Sequence, residues 1–302
     1  MLTDKIRNRE SGIIVYGITP PKQGTDPAQV ADIAEKQMER LREHLVDGLI
    51  LYDIQDEKTR TDDERPFPFM ATLDAYEYSR DYLNQLAIPK IVYRAVGKYS
   101  ADELRDFLQV PSASDFLTVF VGAASKSQDV SLSLKDAYQL RSSMSNPLLL
   151  GGVTIPERHL SKGDEHLRVI EKMKQGCSFF VSQGVYDVNA SKSFLSDYYY
   201  YAQEHDIPLV PVLFTLTPCG SAKTLQFMKW LGISIPRWLE NEMLHAHDIL
   251  QHSVDFSAQA WRELKDFADE KQIPIGCNIE SVSIRKVEID ASIELLNLVS
   301  HT

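Results

Sequence analysis

Cysteine is scarce in this chain: three residues in 302, Cys177, Cys219 and Cys277. Their odd number and wide spacing exclude a disulfide framework and a cysteine-based zinc site, and fit reduced thiols in a cytoplasmic protein. Positive charge is also short. Lysine and arginine number 32 against 43 aspartates and glutamates, leaving a formal charge of −11. That balance provides no basic stripe for nucleic acid, and an anionic membrane surface would repel it. No apolar run approaches the roughly 20 residues needed to cross a bilayer. Residues 1–12 are charged rather than apolar and do not read as a signal peptide. No glycine-rich turn follows the first apolar run, which weighs against an open dinucleotide-binding sheet.

What is present is an alternation. Short apolar runs at 12–18, 48–52, 90–93, 116–121, 148–152, 179–182, 209–214 and 275–279 have the look of strands buried on both faces. Helical periodicity lies between them, at 30–45, 72–86, 101–108, 134–144, 164–175, 191–204, 222–231, 258–270 and 287–299. The first of these helices follows Asp26-Pro27, an N-cap and N1 signal. About eight strand–helix units of even spacing predict one closed (β/α)8 TIM barrel over 1–302, with a doubly wound sheet as the competitor. Segment 233–257 reads as an insertion before the last unit.

A barrel keeps its site at the C-terminal ends of its strands. There the sequence places Thr19 to Lys22, Asp53 with Asp56 and Glu57, Arg94, Gly122 to Lys126, Pro156 to His159, Gln183 with Asp187, Thr217 to Lys223, and Asn278 to Ser281. Loops are polar everywhere, so each residue alone is weak evidence; a polar residue at every successive strand end is stronger. Gly220-Ser-Ala-Lys-Thr224 lacks the full P-loop spacing but can form a helix N-terminus that binds an anion. His245 and His247 stand two apart, on different faces of a helix, and no metal site is assigned. The tyrosines at 198–201 read as a contact in a homo-oligomer.

Several short motifs occur in a suggestive order: Thr19-Pro20-Pro21-Lys22, Ile155-Pro156-Glu157-Arg158-His159, Lys172 followed by Gly176, Gln183 with Asp187, and Ile235-Pro236-Arg237-Trp238. In order and spacing the chain resembles the methylenetetrahydrofolate reductase family, weakly before about residue 145 and well after it. The resemblance implies a flavoprotein of one-carbon and methionine metabolism. Such an enzyme reduces 5,10-methylenetetrahydrofolate to 5-methyltetrahydrofolate with NAD(P)H through bound FAD. Glu157, His159 and Lys172, with Gly122, would then line FAD, and Gln183 with Asp187 would hold the pterin or nicotinamide.

The chain also departs from the family. The family's first-strand Glu falls on Gly17, and its Arg-Gly-Asp after the fourth strand falls on Val121-Gly122-Ala123. Its third-strand His falls on Lys90, and the Tyr of its flavin loop on Ile155. The customary proton donors are therefore missing. Glu280 and Asp53, at the ends of the eighth and second strands, are the replacement acids: a carboxyl group partly buried there has a raised pKa and donates at neutral pH. The bland alternative pairs Glu280 with Arg285 or Lys286. Two other functions stay open: a different pterin-linked reaction such as methyl transfer, and a non-catalytic pterin- or flavin-binding partner protein.

Overall fold

The computed structural model describes residues 1–56, 61, 63–110, 115–123 and 128–301. Glu57 and the Ala124 to Lys126 end of the fourth-strand loop lie outside the described residues.

Eight parallel strands close into a barrel in chain order, each hydrogen-bonded to the next and β8 returning to β1. The strands are β1 (Ile13–Ile18), β2 (Gly48–Leu51), β3 (Lys90–Ala95), β4 (Phe116–Val121), β5 (Leu149–Thr154), β6 (Cys177–Gly184), β7 (Val212–Leu216) and β8 (Ile275–Glu280). The chain has the expected (β/α)8 architecture, and the eight apolar runs of the sequence are its strands.

The helices run in order from α1 (Leu2–Arg7) and α2 (Pro27–Arg42) through α3 (Ala75–Tyr82), α4 (Ala101–Leu108) and α5 (Leu134–Ser142). Then come α6 (Glu157–Lys162), α7 (Glu165–Lys174), α8 (Val188–Glu204) and α9 (Ala222–Trp230). The last three are α10 (Arg237–His245), α11 (Ile249–Lys271) and α12 (Lys286–Ser300). Asp26 caps α2 through the Ala28 N–H with Pro27 in its first turn, as the sequence signal requires. The segment expected to be an insertion forms α10 and the first turns of α11, a single helix that begins well before its periodic part at 258–270.

Two apolar layers hold the fold. Inside the barrel Ile13, Val15, Ile50, Ile91, Leu117, Val119, Phe179, Val181 and Leu213 are fully buried. Leu2 and Ile6 of α1 belong to the same cluster and plug the end of the barrel where the strands begin. Each such side chain contributes about 1.5–3 kcal/mol by leaving water. Gly151 makes room for Phe179, whose ring would lie 2.5 Å from a Cβ at 151. The second, larger layer lies between strands and helices and includes Tyr78, Phe107, Phe180, Phe194, Phe214, Trp261 and Leu295. None of the described helices is long and apolar enough to cross a membrane.

The tyrosine run divides differently from the expectation. Tyr198 is fully buried, and Tyr199 and Tyr201 pack against the core, so only Tyr200, 56% exposed, faces outward. Helical periodicity turns Tyr198 fully inward and leaves Tyr199 and Tyr201 half-buried.

Candidate functional site

At the mouth the apolar barrel interior gives way to a polar group. Tyr52, just past β2, and Tyr93 of β3 meet edge to face with ring centres 4.9 Å apart. Asn278 of β8 donates from Nδ2 to the Tyr52 hydroxyl at 2.8 Å and to Thr215 Oγ1 at 3.1 Å; Glu280 Oε2 lies 3.4 Å from the same nitrogen. Asn278 Oδ1 is buried without a hydrogen-bond partner. An unpartnered buried acceptor costs about 1–3 kcal/mol, which a ligand N–H would recover.

Gly17 of β1 stands opposite Glu280 in the β1–β8 register. A Cβ on Gly17 would lie 2.9 Å from Tyr52 Cε2 and 3.1 Å from Asn278 Oδ1. The position where the reductase family carries its acid is thus filled by tyrosine, and the carboxylate stands on the adjacent strand. Burial pushes the Glu280 carboxyl above the usual carboxylate range, only partly offset by hydrogen bonds from Tyr52 and Asn278. Burial and the nearby Glu280 raise both Tyr52 and Tyr93 well above the ordinary phenol. Glu280 does not pair with either basic neighbour. Arg285 reaches Glu288 at 3.3 Å and Lys286 reaches Asp290 at 2.6 Å. A carboxyl shifted towards its protonated form, beside two phenols and an amide, can donate a proton and read a heterocycle edge.

Asp53, the other proposed acid, sits at the end of β2 in a different setting. Its Oδ2 accepts from the Ala95 N–H at 2.9 Å and from the Tyr99 hydroxyl at 2.8 Å, and its Oδ1 pairs with Lys98. Arg94 donates to Asp74 Oδ2 at 2.5 Å and lies over the Phe107 ring, 4.1 Å from its centre. Burial opposes ionisation of Asp74, but Arg94 and its other donors outweigh it and hold the carboxyl below its usual range. Asp53 therefore anchors the loop after β3. Beside it opens a pocket of about 480 Å³ lined by Gln23, Gln55, Thr72, Asp74, Lys98 and Tyr99.

Gln183 is the penultimate residue of β6, and Asp187 follows the strand. The β6–β7 register is irregular between Val181 and Gly184, and the Gln183 amide donates to the carbonyl of Leu231 at 2.8 Å. Asp187 caps α8, accepting from the Ala190 N–H at 3.0 Å.

The four positions assigned to FAD have these partners. Gly122 accepts from the Gln55 amide at 3.0 Å. Both carboxylate oxygens of Glu157 are buried without partners, and burial, with Asp187 and Glu165 nearby, pushes its pKa up to about 8. Lys172 is tied to the Val153 carbonyl at 2.5 Å, and burial lowers its pKa. His159 is buried and meets Asp197 at 3.0 Å. A diphosphate wants cations and free N–H donors. Here the Glu157 carboxyl group, an unpartnered acceptor, stands in that place, and the one lysine is committed to a carbonyl, so these residues do not fit a flavin diphosphate. Lys90 opens β3 at the far end of the barrel from the mouth.

Other features differ in how much of them the sequence shows. Gly220-Ser-Ala-Lys-Thr224 does form a capped helix start, but its anion comes from the chain itself. Glu288, fully buried, accepts from the Gly220 N–H at 3.2 Å and the Thr224 hydroxyl at 3.2 Å. His159, His166 and Asp197, from three successive helices, bring one potential ligand atom each within 4.8 Å of one another. No sequence spacing signals that cluster. Tyr52 and Tyr93 do not stand out either, because strand aromatics ordinarily belong to the core.

No protein-family model matches the sequence, and no curated protein matches it. Among solved structures, dihydropteroate synthase from Xanthomonas albilineans shares 12% identity over 96% of this chain and 92% of its own, with a TM-score of 0.44. The enzyme from Vibrio fischeri shares 9% over 97% and 93%, with a TM-score of 0.45. Likeness at that distance carries no functional information. A different kind of match is an uncharacterized protein from Clostridium thermocellum that binds two copies of 5-methyl-5,6,7,8-tetrahydrofolic acid. It shares 52% identity over 100% of this chain and 99% of its own, with a TM-score of 0.89. The chain belongs to the family of that Clostridium thermocellum folate-binding protein.

Proposed function

We propose that this chain binds a reduced folate of the 5-methyltetrahydrofolate type at the mouth of its barrel, with Asn278, Glu280 and Tyr52 reading the pterin. The observation that carries this reading is the unpartnered Oδ1 of Asn278 beside the Glu280 carboxyl, in a barrel otherwise filled by apolar side chains. A pterin edge offers N–H donors to such an amide oxygen, and its N5 is an amine that a neutral carboxyl can protonate. The 52% identical family member that binds this ligand supports the same reading.

The reaction class that fits these residues is methyl transfer from N5. Protonation of N5 by Glu280 would turn the tetrahydrofolate into a neutral leaving group; the methyl group passes to a nucleophile brought by a second substrate. Burial of Glu280 matters because it shifts the carboxyl towards its protonated, proton-donating form.

Flavin-mediated reduction with NAD(P)H is the finer reading implied by the reductase resemblance. It has Gln183 and Asp187 in its favour, in their expected order at the end of β6 and the start of α8. Against it stand the unpartnered carboxylate of Glu157 and the tied Lys172, which give a flavin diphosphate no cationic seat. The visible absorbance of the purified chain separates the two. A colourless protein that binds 5-methyltetrahydrofolate supports the proposal. A yellow protein whose flavin band bleaches with NADH or NADPH would replace it with the reductase.

A further inference from the structure

We propose that His159, His166 and Asp197 bind one divalent transition-metal ion on the outside of the barrel, at a site separate from the mouth. His159 comes from α6, His166 from α7 and Asp197 from α8, and one ligand atom of each lies within 4.8 Å of the others.

The geometry matches what an ion would demand. His159 Nε2 and Asp197 Oδ2 are 3.0 Å apart. Metal–nitrogen and metal–oxygen bonds of about 2.0–2.2 Å put neighbouring ligands of a tetrahedral ion roughly 3.3–3.6 Å apart, so this pair needs to open by only about half an ångström. The two imidazole rings stand with centres 5.3 Å apart and planes at 80°. Two imidazoles on one tetrahedral ion place their ring centres roughly 5 Å apart, with a nitrogen of each turned inward. Little movement is therefore required to admit an ion.

An unpartnered polar atom points the same way: His166 Nδ1 is buried without a hydrogen-bond partner. Buried ring nitrogens are ordinarily satisfied, and coordination is one way to satisfy them. The rings are also held from outside. Phe194 packs on His159 with ring centres 6.3 Å apart, and Tyr201 packs on His166 at 5.5 Å. Asp197 is 56% exposed at its side chain, so the ion has an entry path while the imidazoles stay covered. Two imidazoles and one carboxylate favour zinc, cobalt or nickel over calcium or magnesium, and three protein ligands leave a position for water.

The test uses the whole chain, stripped with a chelator and titrated with Co(II). One equivalent is expected to bind with visible ligand-field bands, Zn(II) to displace it, and Zn(II) to raise the melting temperature. Asp197→Asn, at an exposed position, and His166→Asn are each expected to weaken Co(II) binding at least about tenfold. Their 5-methyltetrahydrofolate binding is expected to stay unchanged. Absence of the bands in the wild type, or bands of equal strength in Asp197→Asn, would overturn the assignment. Asp197→Asn decides the matter even if His166→Asn fails to fold. Folate binding is read separately, so failure of the metal site and failure of the folate reading are distinct results.

Discussion

The hydroxyl of Tyr52 lies 3.0 Å from the point where a Cβ on Gly17 would stand, so tyrosine fills the space from which the reductase family extends its acid. Across the β1–β8 ladder, Gly17 pairs with Glu280. Glycine at 17, tyrosine at 52 and glutamate at 280 are thus one coupled arrangement, with the carboxyl group on the strand next to Gly17.

This coupling has a direct consequence. Placing an acid on β1 with Gly17→Glu should destabilise the chain by about 1–3 kcal/mol through overpacking against Tyr52. The same change in a Tyr52→Ala background should cost clearly less than the two single effects summed, because the neighbours share one space. Urea unfolding of the single and double variants measures both. Simple additivity would mean that Tyr52 does not occupy the position.

Glu157 sets a pH dependence of stability. Its pKa is near 8 in the folded chain, well above the ordinary 4.5. The folded state therefore keeps a proton that the unfolded chain releases, and stability falls as pH rises between the two values; below both there is no effect. Between about pH 5 and about pH 8, the wild type should lose about 3 kcal/mol more than Glu157→Gln. Unfolding at both pH values tests this, and parallel profiles would refute it.

Glu288 supplies the anion for the α9 N-terminus. Glu288→Ala should cost about 2–4 kcal/mol, since it strips a partner from the Gly220 N–H and the Thr224 hydroxyl in a buried setting. Glu288→Gln should recover part of that loss, because its amide oxygen still accepts. Equal stability of the two variants, by urea titration, would show that the carboxylate's hydrogen bonds contribute nothing.

The barrel was legible because each strand is buried on both faces and so reads as a short apolar run, as 116–121 does for β4 and 209–214 does for β7. Helix α1 was not, because six residues are too few to display a period, and Leu2 and Ile6 reveal their role only once the barrel interior exists. At the mouth, the position of Glu280 could be read from the end of its strand. Its surroundings could not: Tyr52 and Asn278 are 226 positions apart, and only closure of β8 onto β1, beside β2, brings them together. The Gly220 turn misled for the opposite reason. Its local signal is real, but the occupant comes from a helix 64–68 residues later. The histidine cluster left no mark at all, because its three members come from separate helices with no ligand spacing.

Calorimetric titration of 5-methyltetrahydrofolate into the wild type and Glu280→Ala at neutral pH tests the folate site most directly. Removal of Glu280 relieves a buried carboxyl and leaves the barrel intact, so the variant should fold. Saturable binding to the wild type, weakened at least about tenfold in Glu280→Ala, is the expected result for a carboxyl that contacts the ligand in a desolvated site. Equal affinity in the two proteins, or no binding by a folded wild type, would contradict a pterin seated on Asn278 and Glu280.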